Sequence, residues 1–195
     1  MNVKRFSSGL VLVWAAAVFL ILSLLAGPAP AEAPVRVLKD VERETSADLY
    51  STGLDGFYLY VNERFAYAAW IPEGLSEVVT IPDNADGLIL KSKDGRARLR
   101  VSGGHAEFIE GGLKGAFDQA LKTAGRELIS AVFINEGFNA YWTLSWRKSD
   151  HLFYRKFAVK DDFWFDCEIS FPASEKAKHD ESANTVIVQS GPTDG

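Results

Sequence analysis

The sequence predicts an α+β domain: an antiparallel β-sheet of about eight strands, one helix between two strand groups, and a C-terminal helix. Three observations carry this expectation. Apolar residues alternate at period two through both ends of the domain, as half-buried strands require. One segment between them changes to three-and-four spacing, the mark of an amphipathic helix. The later strands are separated by breaks of two to four residues, which suit hairpins and leave no room for crossover helices.

Lys4 and Arg5, an uncharged apolar run from Gly9 to Ala26, and the small residues Ala29-Pro30-Ala31 open the chain. This is the layout of a secretory signal peptide spanning 1–31, with cleavage expected after Ala31 because Pro34 obstructs a cut after Ala33. The run also approaches the ~18–20 residues that cross a bilayer, so an uncleaved anchor is the alternative. In both cases Lys4 and Arg5 hold the N-terminus inside and export the remainder. The expected localisation is periplasmic or secreted, with membrane contact only through an uncleaved signal segment. Removing Lys4 and Arg5 leaves 19 basic residues against 26 acidic, a net charge of −7. So acidic a domain is a poor general binder of nucleic acid.

Residues 32–52 mix charges and small residues and read as a linker or lead-in to a single domain over 53–190, with a polar tail at 191–195. Phe57–Val61 and Phe65–Ile71 alternate on either side of Asn62-Glu63-Arg64, a β-hairpin pattern that Pro72-Glu73-Gly74 ends. Val78–Ile81 and Leu88–Lys91 are short strands, followed by a tight turn at Lys93-Asp94-Gly95. From Arg96 to Val101 alternation is strict: Ala97, Leu99 and Val101 inward, Arg96, Arg98 and Arg100 outward. Gly103-Gly104-His105 then reads as a flexible loop. Between Gly111 and Gly125, Leu113, Ala116, Phe117, Ala120, Leu121 and Ala124 form one apolar stripe, with Gly125 as C-cap. Strands follow near Ile129–Asn135, Asn139–Arg147, Leu152–Lys160 and Phe163–Phe171. A final helix runs from Ala173 to about Gln189, with Ser174 as a candidate N-cap. Its β-branched Val186-Ile187-Val188 end leaves an extended finish open.

Candidate chemistry is sparse. His105, with Glu107 and Glu110 nearby, could form an acid–base pair or contribute to a metal site; a solvated loop is the plainer account. His151 and His179 read as surface residues. Cys167 is the chain's single cysteine, so no intrachain disulfide is available. It alternates with Phe163, Phe165, Ile169 and Phe171, which makes it a core residue with a raised pKa rather than a nucleophile. The Asp83-Asn84-Ala85-Asp86-Gly87 segment offers oxygen ligands but fails the calcium-loop register and reads as a turn. Arg96, Arg98 and Arg100 could hold an anionic ligand, or simply pair with carboxylates across the sheet. The aromatics Tyr58, Tyr60, Trp70, Tyr141, Trp142, Trp146, Phe153, Tyr154 and Trp164 exceed what one sheet face can bury. Either both faces are covered, or one exposes an aromatic surface, with Tyr141 a candidate ligand contact. No hydrolase, phosphate-loop or Cys-x-x-Cys motif is present, and no cofactor or metal is expected.

From about Phe57 to Ser190 the chain resembles a group of small exported bacterial proteins of unassigned function. The resemblance rests on Tyr60-Val61-Asn62-Glu63-Arg64-Phe65, Asp83-Asn84-Ala85-Asp86-Gly87 and Ser92-Lys93-Asp94-Gly95-Arg96-Ala97-Arg98-Leu99. It continues through Tyr141-Trp142-Thr143-Leu144-Ser145-Trp146, Phe153-Tyr154-Arg155-Lys156 and Ile169-Ser170-Phe171-Pro172. It implies a PsbP-like α+β fold, a curved antiparallel sheet with helices on its faces, and export. It implies no catalytic residues.

The expected function is a non-catalytic accessory or binding domain of the bacterial cell envelope, with an envelope protein, a peptide or a cell-wall component as partner. One alternative is a small periplasmic hydrolase using His105 with Glu107 or Glu110. Another is an inhibitor or immunity-type protein presenting Gly103-Gly104-His105 as its loop.

Overall fold

The aromatic hairpin expected at the start of the domain forms between Phe57–Asn62 (β2) and Tyr67–Pro72 (β3). A computed structural model describes residues 48–51, 56–75, 77–83, 85–136 and 139–193. The signal-peptide segment, and most of the lead-in, lie outside the described residues. At the hairpin break, Asn62 accepts a hydrogen bond from the Phe65 N–H at 3.2 Å and Ala66 turns the chain in the left-handed region. Two short strands extend the hairpin into a four-stranded sheet: Asp48–Ser51 (β1), within the lead-in, and Gly191–Pro192 (β11), within the tail.

The second sheet has seven strands. Glu77–Thr80 (β4), Gly87–Lys91 (β5) and Arg98–His105 (β6) come first, and Leu128–Glu136 (β7), Asn139–Lys148 (β8), His151–Lys160 (β9) and Phe163–Pro172 (β10) follow the first helix. Their spatial order is β4-β5-β6-β10-β9-β8-β7, every neighbour antiparallel. Helix α1, Gly112–Ala124, carries the chain from β6 to the far edge. The meander then returns until β10 pairs with β6. Helix α2, Lys176–Gln189, includes Val186, Ile187 and Val188. It closes the extended alternative, because Val186 and Ala183 are buried in the core. The 3-10 turn Ala173–Glu175 precedes it, and no side-chain cap from Ser174 starts the helix.

Period-two alternation gives the large sheet two different faces. On the first, Leu99, Val101, Phe165, Cys167, Ile169 and Phe171 meet Tyr60, Tyr67 and Ile71 from the small sheet and Ala183 and Val186 from α2. On the second, Trp142, Leu144, Trp146 and Phe157 pack under Ala116, Phe117, Ala120 and Ala124 of α1. Trp142 stacks on Phe157 with centroids 5.4 Å apart, and Trp146 on Phe153 at 5.0 Å. Apart from Trp70, which meets the Phe57 ring edge-on, the aromatic surplus is therefore divided between two cores on opposite faces. Cys167 is fully buried, and burial pushes its thiol far up, as the alternation required.

The Gly103-Gly104-His105 loop is a correction. These residues are the end of β6, paired with Phe163–Phe165 of β10. The glycines serve neighbouring rings rather than flexibility. A Cβ on Gly103 would lie 2.5 Å from the Tyr67 ring, and one on Gly104 would lie 2.9 Å from the Trp164 indole nitrogen. Gly103→Ala is accordingly expected to lose about 1–3 kcal/mol through overpacking against a fixed ring. Urea unfolding checks this, and a variant as stable as the parent would show that Tyr67 is free to move aside.

Candidate functional site

Each helix covers only part of the large sheet. On the face that α1 packs against, the β6–β10 region is left uncovered and carries polar residues. Register brings them together: Arg98 lies opposite Ser170, Arg100 opposite Glu168, and Glu168 in turn opposite Arg155. A hollow of about 300 Å³ opens there, lined by Arg98, Arg100, Phe153, Glu168 and Ser170.

Asp166 anchors the inner side of this group and is only 3% exposed. Its carboxylate accepts from Arg155 Nε at 2.8 Å and Nη2 at 2.9 Å, and from Arg100 Nη2 at 2.8 Å. The two-pronged, charge-assisted contact fixes the Arg155 guanidinium plane, and a single such bond ties Arg100. The Arg155 guanidinium also sits 5.3 Å from the centre of the Trp142 ring, tying the polar group to the aromatic core. Burial raises the Glu168 pKa above its ordinary value, with the charges of Arg100, Arg155 and Arg98 opposing the shift. Arg98 ends at the hollow without an ion pair to a described residue. Three guanidiniums thus face two carboxylates, a local excess of one positive charge in an acidic chain.

The arginine stripe read from sequence is divided in three ways. Arg96 bonds Asp94 and Glu175, joining the β5–β6 turn to the residues before α2. Arg100 is committed to Asp166, and Arg98, attracted by Glu168 but in no ion pair with a described residue, has room for a ligand. Tyr141 is on the other face, where its ring lies 5.5 Å from Lys156 Nζ. It is not part of the arginine hollow.

His105 is exposed at the end of β6, its ring 5.2 Å from Phe163 and 5.8 Å from Phe65. A separate hollow of about 310 Å³ includes His105, Ala106, Glu107 and Asp162; Glu110 is not among its lining residues. A working acid–base pair requires heavy atoms roughly 2.6–3.2 Å apart, and among the described residues no hydrogen bond joins His105 to Glu107 or Glu110. Ala85 and Asp86 are held by the small sheet: Asn62 donates to the Ala85 carbonyl at 3.1 Å and Tyr67 to the Asp86 carbonyl at 2.8 Å. His151 bonds Asp150, and His179 packs on Phe171 within reach of Glu175.

Sequence reasoning missed Lys156 and Asp166. Asp166 was legible in part, as a charged residue between Phe165 and Cys167, whereas Lys156 follows Arg155 and stands out only by its phase with Tyr154 and Ala158. Their partners, Arg100 and Arg155 from other strands and the carbonyls at the end of α2, could not be named from local pattern.

The architecture so defined is the PsbP-like fold, a two-sheet α+β domain with helices on opposite faces. Among solved structures it is similar to the cyanobacterial PsbP protein, CyanoP, of Synechocystis sp. PCC 6803, with a TM-score of 0.53. Identity is 12%, over 73% of this chain and 95% of that one. A Pseudomonas aeruginosa protein, PA94, aligns over 71% of this chain and 92% of its own at 16% identity and a TM-score of 0.38. No protein-family model and no curated protein matches the chain.

Proposed function

We propose that the chain is a non-catalytic accessory domain of the bacterial cell envelope that binds an acidic segment of an envelope protein across the arginine hollow. The observation that carries this reading is Arg98, without an ion pair among the described residues, on an uncovered sheet face beside Arg100 and Arg155 held rigid by Asp166. Guanidinium forks match carboxylate geometry, and the Phe153 ring supplies an apolar floor for the stems of glutamate side chains. The net-negative remainder of the chain discourages acidic partners elsewhere, so charge selects this face. Export is expected from the signal-peptide layout of residues 1–31.

A synthetic Asp/Glu-rich peptide is the probe, titrated by calorimetry and followed by amide shifts. Arg98→Glu is expected to weaken its binding by about tenfold or more, chiefly in association rate and most at low salt. Glu168 adds a pH signature. Its proton is held above the ordinary glutamate value of about 4.3, chiefly by burial. As pH falls through that raised value its negative charge disappears and the hollow becomes more positive. Binding should therefore tighten as the pH falls from 7 towards that raised value, and Glu168→Gln should remove that dependence. Equal affinity for the parent and Arg98→Glu would sink the reading.

A further inference from the structure

A further cavity lies on the opposite face from the arginine hollow, where β8 and β9 run past the end of α2 and β11. Its volume is about 480 Å³, and Ala158, Val188 and Pro192 supply its apolar lining, with Gln189, Ser190 and Thr193 beside them. Lys156 and Tyr141 also line it. Alternation along β9 puts Lys156 on the face of Tyr154 and Ala158, directly across from the buried Cys167. A lysine in that phase has to be explained.

Two of its three donors have structural duty. Lys156 Nζ donates to the Ser190 carbonyl at 2.6 Å and to the Val188 carbonyl at 3.3 Å, closing the C-terminal end of α2. A cation there complements the exposed carbonyls of a helix end. The Tyr141 ring gives a third, weaker contact at 5.5 Å. None of these carries a full negative charge, and no described carboxylate pairs with Lys156. One ammonium donor is left for the cavity, together with most of the charge. Lys160, which also lines the cavity, donates to the Thr193 carbonyl at 3.2 Å. Cavities of this size, mostly apolar with a few converging polar groups, are the usual form of small-molecule sites.

We infer that this cavity binds a small amphipathic monocarboxylate, its carboxylate on the Lys156 ammonium beside Tyr141 and its apolar body along Ala158, Val188 and Pro192. The one ammonium donor left on Lys156 matches a single negative charge. Burial lowers the Lys156 pKa, so a bound anion should move it back up, a readout that a merely structural lysine would not show.

Hexanoate is the probe, with hexanol as its uncharged counterpart. Hexanoate is expected to shift the amides of Ala158, Val159 and Gly191 and to raise the Lys156 pKa in a lysine-selective NMR titration, whereas hexanol binds at least about tenfold more weakly. Lys156→Met should reduce hexanoate binding by a similar factor. Because Lys156→Met also loosens the end of α2, Ala158→Leu provides a second variant. It adds bulk from the same strand face as Lys156, leaves the ammonium in place, and should abolish binding. Arg98→Glu should leave hexanoate binding unchanged, which keeps this site independent of the arginine hollow. Hexanoate binding that survives either cavity variant, an unmoved Lys156 pKa, or hexanol binding as tightly as hexanoate overturns the inference.

Discussion

Asp166→Asn is expected to destabilise the domain by about 3 kcal/mol, the lower end of the cost of breaking a buried ion pair. The carboxylate is almost entirely enclosed, and it is the shared acceptor for Arg155 and Arg100. An amide keeps the shape but loses the charge, and its NH2 end points a donor at donors. Both arginines retain partial access to water, with side-chain exposures of 24% and 34%, which is why the upper end of the range is not expected. Urea unfolding with an unchanged m-value measures the loss. Replacing Arg155 and Asp166 together by Met and Leu should recover much of it, since an apolar pair leaves no orphaned charge. A loss within about 0.5 kcal/mol would mean that the cluster is worth no more than a surface ion pair. In that case Asp166 would not be what holds Arg100 and Arg155 in place beside Arg98.

Trp142→Ala should cost about 3–5 kcal/mol, the usual range for emptying a large aromatic site in a core. Trp142 is fully buried at the centre of the core beneath α1, stacked on Phe157 and tilted 6.0 Å from Phe117. Its removal opens a cavity into which the flanking strands cannot collapse, and α1 loses the surface its apolar stripe was built for. The contrast with Trp142→Phe is informative. The indole nitrogen finds no hydrogen-bond partner among the described residues, so phenylalanine deletes an unsatisfied donor along with some packing. That variant should stay within about 1.5 kcal/mol of the parent. Hydrogen-exchange protection of the α1 amides should fall in the alanine variant and persist in the phenylalanine one. Equal damage from both would show that the indole nitrogen has a partner and matters more than the area of the ring.

Several elements could be read directly along the chain. Helix α1 follows from the three-and-four spacing of Leu113 to Ala124, and the inward set Ala97, Leu99 and Val101 follows from alternation alone; all three are buried. The Asp94-Gly95 turn is also local, with Gly95 at a φ of +72° and its N–H bonded to the Ser92 carbonyl. The failures are equally specific. Gly103 and Gly104 read as a loop because two adjacent glycines have no local reason to be extended; the reason is Tyr67 and Trp164, which arrive from other strands. Arg96, Arg98 and Arg100 look equivalent in sequence, yet Asp94 and Glu175 take the first, Asp166 takes the third, and only the second reaches the hollow without an ion pair to a described residue.

Sequence by itself determined the class of this protein: alternating strands, one amphipathic helix between two groups, a closing helix and a buried Cys167. Those features are set within a few residues, because the direction of each Cβ follows from the local backbone period. Tertiary structure alone decided which parts of each sheet face the helices cover and which stay open. That choice depends on how whole elements pack. Packing placed Asp166 between two arginines, left Arg98 facing an open hollow, and closed the end of α2 with Lys156 beside an apolar cavity. Long-range contacts of this kind leave no periodic trace in the chain, so the candidate sites emerged only when the strands were set side by side.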